Sequence, residues 1–156
     1  MHRAVLALIE PPDLSSFLQR LTGDVPAMLG IEEARLCLEA DVAESGPAEG
    51  FGSDLDGRVI ALPEGAIDGY FALDGSAEKN VVLRSAGEEA ELIFGEANPV
   101  QSEALMRLDI AGALGMFIFG SGDPKKFDSS YGTDLLNFFA GVVERLLLQR
   151  LAEDSD

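Results

Sequence analysis

The chain has 156 residues, 47% of them hydrophobic, and its 28 Asp and Glu against 11 Lys and Arg give a formal net charge of −17. That length supports a single domain with a real core, and the composition excludes wholesale disorder. So acidic a surface repels phosphate backbones and anionic lipid headgroups, which disfavours direct nucleic-acid or membrane binding.

No apolar run reaches the ~20 residues that a membrane-spanning helix needs. The Ala4–Ile9 run is short and lacks a cleavage pattern, so no signal peptide is read there. Cys37 is the single cysteine and allows neither an intrachain disulfide nor a thiolate metal cluster. The expected compartment is the cytoplasm.

His2 to Ile9 carries Val5, Leu6, Leu8 and Ile9 at helical spacing and is stopped by Pro11-Pro12. Asp13 is placed to cap a second helix with an inner face of Leu14, Phe17, Leu18 and Leu21. Gly23-Asp24 predicts a reset, with Asp24 capping a short turn that contains Pro26 and Met28-Leu29. From Glu32 to Ala40, residues Ala34, Leu36 and Leu38 alternate with Glu33, Arg35, Cys37 and Glu39, which predicts the first strand. Asp41 to Gly57 is rich in Gly, Ser, Pro and acid and predicts a long loop. Arg58 to Leu62 is a short second strand ended by Pro63, and Ile67, Tyr70 and Phe71 then share one face of a short helix.

A polar loop, Asp74 to Asn80, leads to a third strand at Val81–Arg84 and a short helix at Glu88–Phe94, closed by Gly95. Glu103 to Ile110 alternates again, with Met106, Leu108 and Ile110 inward and Arg107 and Asp109 opposite. Ala111-Gly112 turns into Ala113–Phe119, which suggests an antiparallel hairpin. This last strand is apolar on both faces, so it belongs in the centre of a sheet covered on both sides. Gly120-Ser121-Gly122-Asp123-Pro124 stops it, and one long helix follows. Leu135, Phe139, Val142 and Leu146 form one seam of that helix; Leu136, Val143, Leu147 and Leu151 form the next, with Phe138 and Leu148 widening the stripe. No internal repeat is found. The order of elements predicts an α+β domain with a mostly antiparallel sheet.

This pattern resembles a GAF domain. Glu10-Pro11-Pro12-Asp13-Leu14 through Leu29-Gly30-Ile31 is similar to that fold's opening, and Phe119-Gly120-Ser121, Phe127 and Leu135-Leu136 to its closing strand and returning helix. A closer match is the bacterial GAF-like family called domain of unknown function 484. The residues that carry it are Val81–Arg84, Phe94-Gly95-Glu96, Ser102–Leu105, Gly120–Pro124 with Phe127, and Gly132–Leu136. The resemblance covers nearly the whole chain, read as one domain over residues 1–156, and implies a cytoplasmic ligand-sensing or regulatory fold. It implies terminal helices on one face of the sheet and short helices on the other, with a small ligand between the sheet and those short helices. It also implies first and last helices that pack across a dimer, and a helical region upstream of Met1. The chain departs from bilin-binding, cyclic-nucleotide, methionine-sulfoxide-reducing and haem-binding GAF types. Cys37 stands in a strand, Lys126-Phe127 lacks its companions, there is one cysteine, and the single histidine is His2.

Arg84 and Arg107 lie in strands, where a guanidinium at a pocket edge suits a carboxylate or phosphate. The competing reading pairs each with a local acid such as Glu103 or Asp109. Tyr70 and Phe71 line either a pocket mouth or the core face of a short helix. Asp54-Leu55-Asp56-Gly57 is rejected as a calcium loop, because Arg58 and Gly65 stand where ligands are needed. Gly120-Ser121-Gly122 lacks the Lys of a phosphate loop. Cys37 reads as a small inert apolar residue, and Lys125-Lys126 as a solvated pair. No combination supports nucleophilic, metal or acid–base catalysis, so the expectation is a non-enzyme without cofactor. The ligand-binding candidates are Arg84, Arg107, Tyr70, Phe71 and Phe94, toward an unknown small molecule. The expected homodimer interface is Leu136, Val143, Leu147 and Leu151. The expected role is a sensory or regulatory domain that passes its signal through the terminal helices; the alternative is a ligand-free dimerisation or interaction scaffold that has lost the pocket.

Overall fold

The computed structural model describes residues 2–11, 13–39, 58–62, 65–75, 79–95, 100–110, 113–127 and 132–154. The Asp41–Gly57 loop and the rejected calcium loop within it lie outside these residues, as does the Ala111-Gly112 turn. Five strands form one mixed sheet in the order β2-β1-β5-β4-β3: β1 Glu33–Glu39, β2 Val59–Leu62, β3 Val81–Ser85, β4 Ser102–Ile110 and β5 Ala113–Ser121. Three neighbouring pairs are antiparallel, and β1 with β2 is parallel. The domain is therefore α+β.

Around the sheet lie α1 His2–Ile9, α2 Leu14–Gln19, α3 Val25–Met28, α4 Ala66–Phe71, α5 Glu91–Phe94 and α6 Thr133–Asp154. Asp13 caps α2 by accepting from the Ser16 amide at 2.8 Å. That bond holds the Asp13 carboxyl below the usual carboxylate range. The predicted reset at Gly23-Asp24 does not occur. Arg20–Asp24 is a π-helical turn that runs directly into α3, and Asp24 has helical dihedrals and makes no capping bond. The helix continues because Leu21, Thr22 and Val25 are buried, and the Thr22 hydroxyl donates to the Leu18 carbonyl at 2.8 Å.

The alternation along β5 sends its side chains into two separate cores. Phe117 and Phe119 join Ala34, Leu36, Leu38, Met106 and Leu108 with Leu8, Phe17 and Leu18 of the first helices and Phe139 of α6. Met116 and Ile118 join Cys37, Leu105 and Val82 with Ile67, Phe71, Ile93 and Phe94. The first core is aromatic at its centre: Phe117 and Phe119 meet edge-on at 5.0 Å between centroids, and Phe119 stacks on Phe127 at 6.3 Å. Gly120 marks where the second core closes on the sheet. A Cβ there would stand 2.8 Å from the Phe94 ring and 2.9 Å from Val100.

Truncating Phe119, which is fully buried among these rings, is expected to cost about 3–5 kcal/mol. Urea unfolding of Phe119→Ala against the wild type measures it, and a loss below about 1 kcal/mol would mean that the aromatic core is not packed as described.

Candidate functional site

The short helix α4 is held to the sheet by charge at both of its ends. At its start, the Glu39 carboxylate on β1 accepts from the amides of Gly65 at 3.1 Å and Ile67 at 3.2 Å. At its finish, Arg84 on β3 donates to the carbonyls of Tyr70 at 2.7 Å and Phe71 at 3.4 Å. An anion at the amide end and a cation at the carbonyl end both complement the helix's exposed backbone groups. Arg84 Nε also donates to Glu103 on β4 at 2.7 Å, and the Tyr70 hydroxyl donates to the same carboxylate at 2.6 Å. The Glu103 side chain is 1% exposed and that of Arg84 9%, so the pair is desolvated, and its remaining bonds run to the Tyr70 hydroxyl and the α4 carbonyls. Burial and the neighbouring carboxylate push the Tyr70 hydroxyl well above its ordinary pKa, so it acts as a fixed donor.

A cavity of 180 Å³ adjoins this network and is lined by Tyr70, Leu73, Arg84, Ser85, Glu89 and Glu103 among others. The five ligand-binding candidates do not share one pocket. Tyr70 and Arg84 meet at this cavity. Phe71 is wholly in the core, and Phe94 packs against Gly120 with the Arg35 guanidinium 5.4 Å from its ring centroid. Arg107 pairs with Asp68 at 2.5 Å, lies 4.1 Å from the centroid of the Phe71 ring, and lines a different cleft of 480 Å³. That cleft runs from Asn80, Arg107 and Asp109 at the sheet edge to Asn137, Gly141 and Glu144 on α6. There Glu144 accepts from the Asp109 amide at 2.6 Å, beyond the start of β3.

The family model described as "Protein of unknown function, DUF484" matches residues 1–153. The chain belongs to this family. No curated protein matches it.

In this DUF484 chain the long helix α6 is turned differently from the expected seam. Leu136, Val143 and Leu147 were predicted at a dimer interface, but all three are fully buried against the sheet with Phe139 and Ala140. The Leu151 side chain lies outside the described residues. The reason is steric: two apolar seams compete, and the one spaced Leu136, Phe139, Ala140, Val143, Leu147 matches the sheet. Leu135, assigned to the core seam, is 49% exposed, Phe138 is 56% exposed, and Val142 is half-buried. Glu103 is the local acid of the competing reading for Arg84, whereas Glu39 has no counterpart in the sequence reading. Alternation within a strand suggests a wet face for them, whereas both faces here are covered. Among the described residues no group of three or more His, Cys, Asp or Glu could hold a metal ion.

Burial pushes the Cys37 thiol up to about 12. A thiol whose pKa is raised by folding leaves stability intact below its unfolded value near 9.0 and withdraws it as pH rises toward 12. Native protein at pH 8 should therefore resist iodoacetamide over hours and be labelled within minutes in urea, as mass spectrometry would record; rapid native labelling would contradict the burial. For the buried ion pair, Arg84→Ala strands Glu103 and should cost about 3–5 kcal/mol, whereas Arg84→Met with Glu103→Met should recover much of that loss in the same urea assay. Equal losses in both variants would show that the pair is not coupled.

Proposed function

We propose that the chain is a GAF-like regulatory domain that works as a homodimer, with signal passed through α1 and α6. The observation that carries this reading is the apolar stripe left on α6 after its core seam is buried. Leu135, Phe138 and Val142 fall at i, i+3 and i+7, on a flank away from Leu136, Val143 and Leu147. Several large apolar side chains along one helical stripe mark an interaction surface more often than a solvated one. Next to the distal part of α6 lies α1, where Arg150 donates to the Ile9 carbonyl at 3.0 Å and Leu6 and Ile9 are exposed. A two-fold contact of α1 and α6 with their copies would cover this surface as an isologous four-helix interface. The two cores support the GAF-like reading, since the helices at the chain ends feed one core and the short α4 and α5 the other.

In the sensor form of this reading, a small molecule occupies the 180 Å³ cavity at Tyr70 and Arg84 and binds one arrangement of the dimer better than another. A specific observation favours the scaffold form instead. Glu103 and the α4 carbonyls already engage the Arg84 guanidinium that a ligand would have to recruit. Native mass spectrometry of freshly purified protein separates the two: a stoichiometric small molecule supports the sensor, and a bare dimer supports the scaffold.

Sedimentation tests the shared element. Wild type should be dimeric at tens of micromolar, and Leu135→Glu with Phe138→Glu should give a folded monomer, because neither residue belongs to the core. Leu147→Glu should instead unfold the chain, since it places a charge in the core. A monomeric wild type would rule out the homodimer.

A further inference from the structure

We propose that two copies of the chain meet through antiparallel α6 helices, with Asp134 of each copy paired to Arg145 of the other and Phe138 of each seated on Gly141 of the other. The proposal rests on the homodimer reading above and gives that dimer an orientation and a register.

At 3.6 residues per turn, Asp134, Phe138, Gly141 and Arg145 fall within about 60° of one another, on the side of α6 opposite Leu136, Val143 and Leu147. All four are exposed, Phe138 with 56% of its surface. Among the described residues neither Asp134 nor Arg145 has a hydrogen bond or ion pair. Within one helix they stand about 16 Å apart along the axis at 1.5 Å per residue, too far to pair with each other. Gly141 costs the middle of the helix backbone entropy that an alanine would not. A Cβ there would meet nothing within 4 Å, so no packing among the described residues requires the bare main chain. A neighbouring helix would use it, because two axes approach as closely as the side chains between them allow.

An isologous contact has to carry each group and its complement on the same patch. This face carries an acid and a base, and a bulky ring and a gap; a partner of different sequence would need no such match within it. Antiparallel helices related by a two-fold axis align residues that share a midpoint. The midpoint of Asp134 and Arg145 is also that of Phe138 and Gly141, between Phe139 and Ala140. One register therefore satisfies both pairs, twice over. Parallel helices would set Arg145 against Arg145 and Asp134 against Asp134, and would bring no ring to the glycine. Exposed ion pairs add little affinity, but like charges brought face to face reject an arrangement, so this pair selects orientation while Phe138, with Leu135 and Val142 beside it, supplies the buried area.

The test uses single cysteines in the full chain, since native Cys37 is fully buried and stays out of the reaction. Asp134→Cys and Arg145→Cys are purified separately, mixed in equal amounts, left to exchange subunits and oxidised. Cross-linked dimer is expected in the mixture and in neither variant alone, where like cysteines stand about 16 Å apart along the axis. Cross-linking of each variant by itself means parallel helices and overturns the proposal. No cross-link in any sample, with a wild type that sediments as a dimer, places the contact elsewhere; it overturns this arrangement and leaves the homodimer standing. A monomeric wild type removes both.

Sedimentation of charge variants gives an independent readout. Arg145→Asp and Asp134→Arg should each weaken dimerisation about 10-fold, and the two together should restore most of it. A double variant as weak as the singles would show that the two side chains do not meet. Gly141→Gln, a better helix former on an exposed position, should raise the urea midpoint of dilute protein and yet weaken the dimer about 10-fold. An unchanged or tighter dimer would show that no ring occupies the space at Gly141.

Discussion

The structure depends on one strand that has no side facing water. β5 carries Met116 and Ile118 into one core and Phe117 and Phe119 into the other, and its two neighbours, β1 and β4, are buried beside it. A sheet whose middle is apolar on both faces must be covered twice, and its backbone is satisfied entirely by pairing. The register follows from this need. Phe117 pairs with Leu36 on one side and Met106 on the other, so side chains of one face line up across three strands. A slip by one residue would exchange the two cores.

Covering a sheet with short helices creates a second problem, because a helix of six residues gains little from its own hydrogen bonds. The chain meets it by sending charged side chains from the strands into the ends of α4. Glu39 and Arg84 act on opposite ends of the same helix, from strands on opposite sides of β5. Glu103 then completes the arginine's contacts, and Tyr70 completes those of the glutamate. Desolvating such a cluster is costly, and it is tolerated because the bonds are nearly saturated. What it provides is position: α4 is set by directional contacts, where apolar packing alone would tolerate sliding. The same saturation separates this face from an open ligand pocket.

Much of this architecture was legible in the residues. The doubly apolar run at Met116–Phe119, the terminal hairpin and the helix closed at Gly95 follow from period, turn chemistry and capping alone. The resemblance to domain of unknown function 484 rests on short motifs scattered over the chain, and the family match spans those motifs. Three features were not legible, each for a physical reason. Gly23-Asp24 is a strong break signal, yet burial of Leu21, Thr22 and Val25 overrides it and yields a π-helical turn. The rotation of α6 is undetermined by sequence because both of its seams are apolar, and only the sheet's shape selects Leu136 over Leu135. Acids in strands normally face water, so Glu39 reveals its role only when α4 is laid over it. For the candidate site, the pairing of Arg84 with Glu103 was one of the alternatives the sequence offered, while the separation of Arg107 into another cleft was not.

The placement of β1 has a consequence for the order in which the chain can assemble. β4 and β5 are close in sequence, with Ile110 paired to Ala113, and can pair as soon as both exist. β1 takes its antiparallel partner from much later in the chain, with Glu33 opposite Gly120. Closing so long a loop is entropically expensive and comes after local pairing. During synthesis β1 is among the first strands made, and its principal neighbour is the last. Until β5 arrives, Leu36, Cys37 and Leu38 have only the four-residue β2 to pair with. The nascent chain therefore carries an apolar strand with an open edge through most of its translation, a state in which strands seek other chains. At a net charge of −17, mutual repulsion between chains works against such encounters.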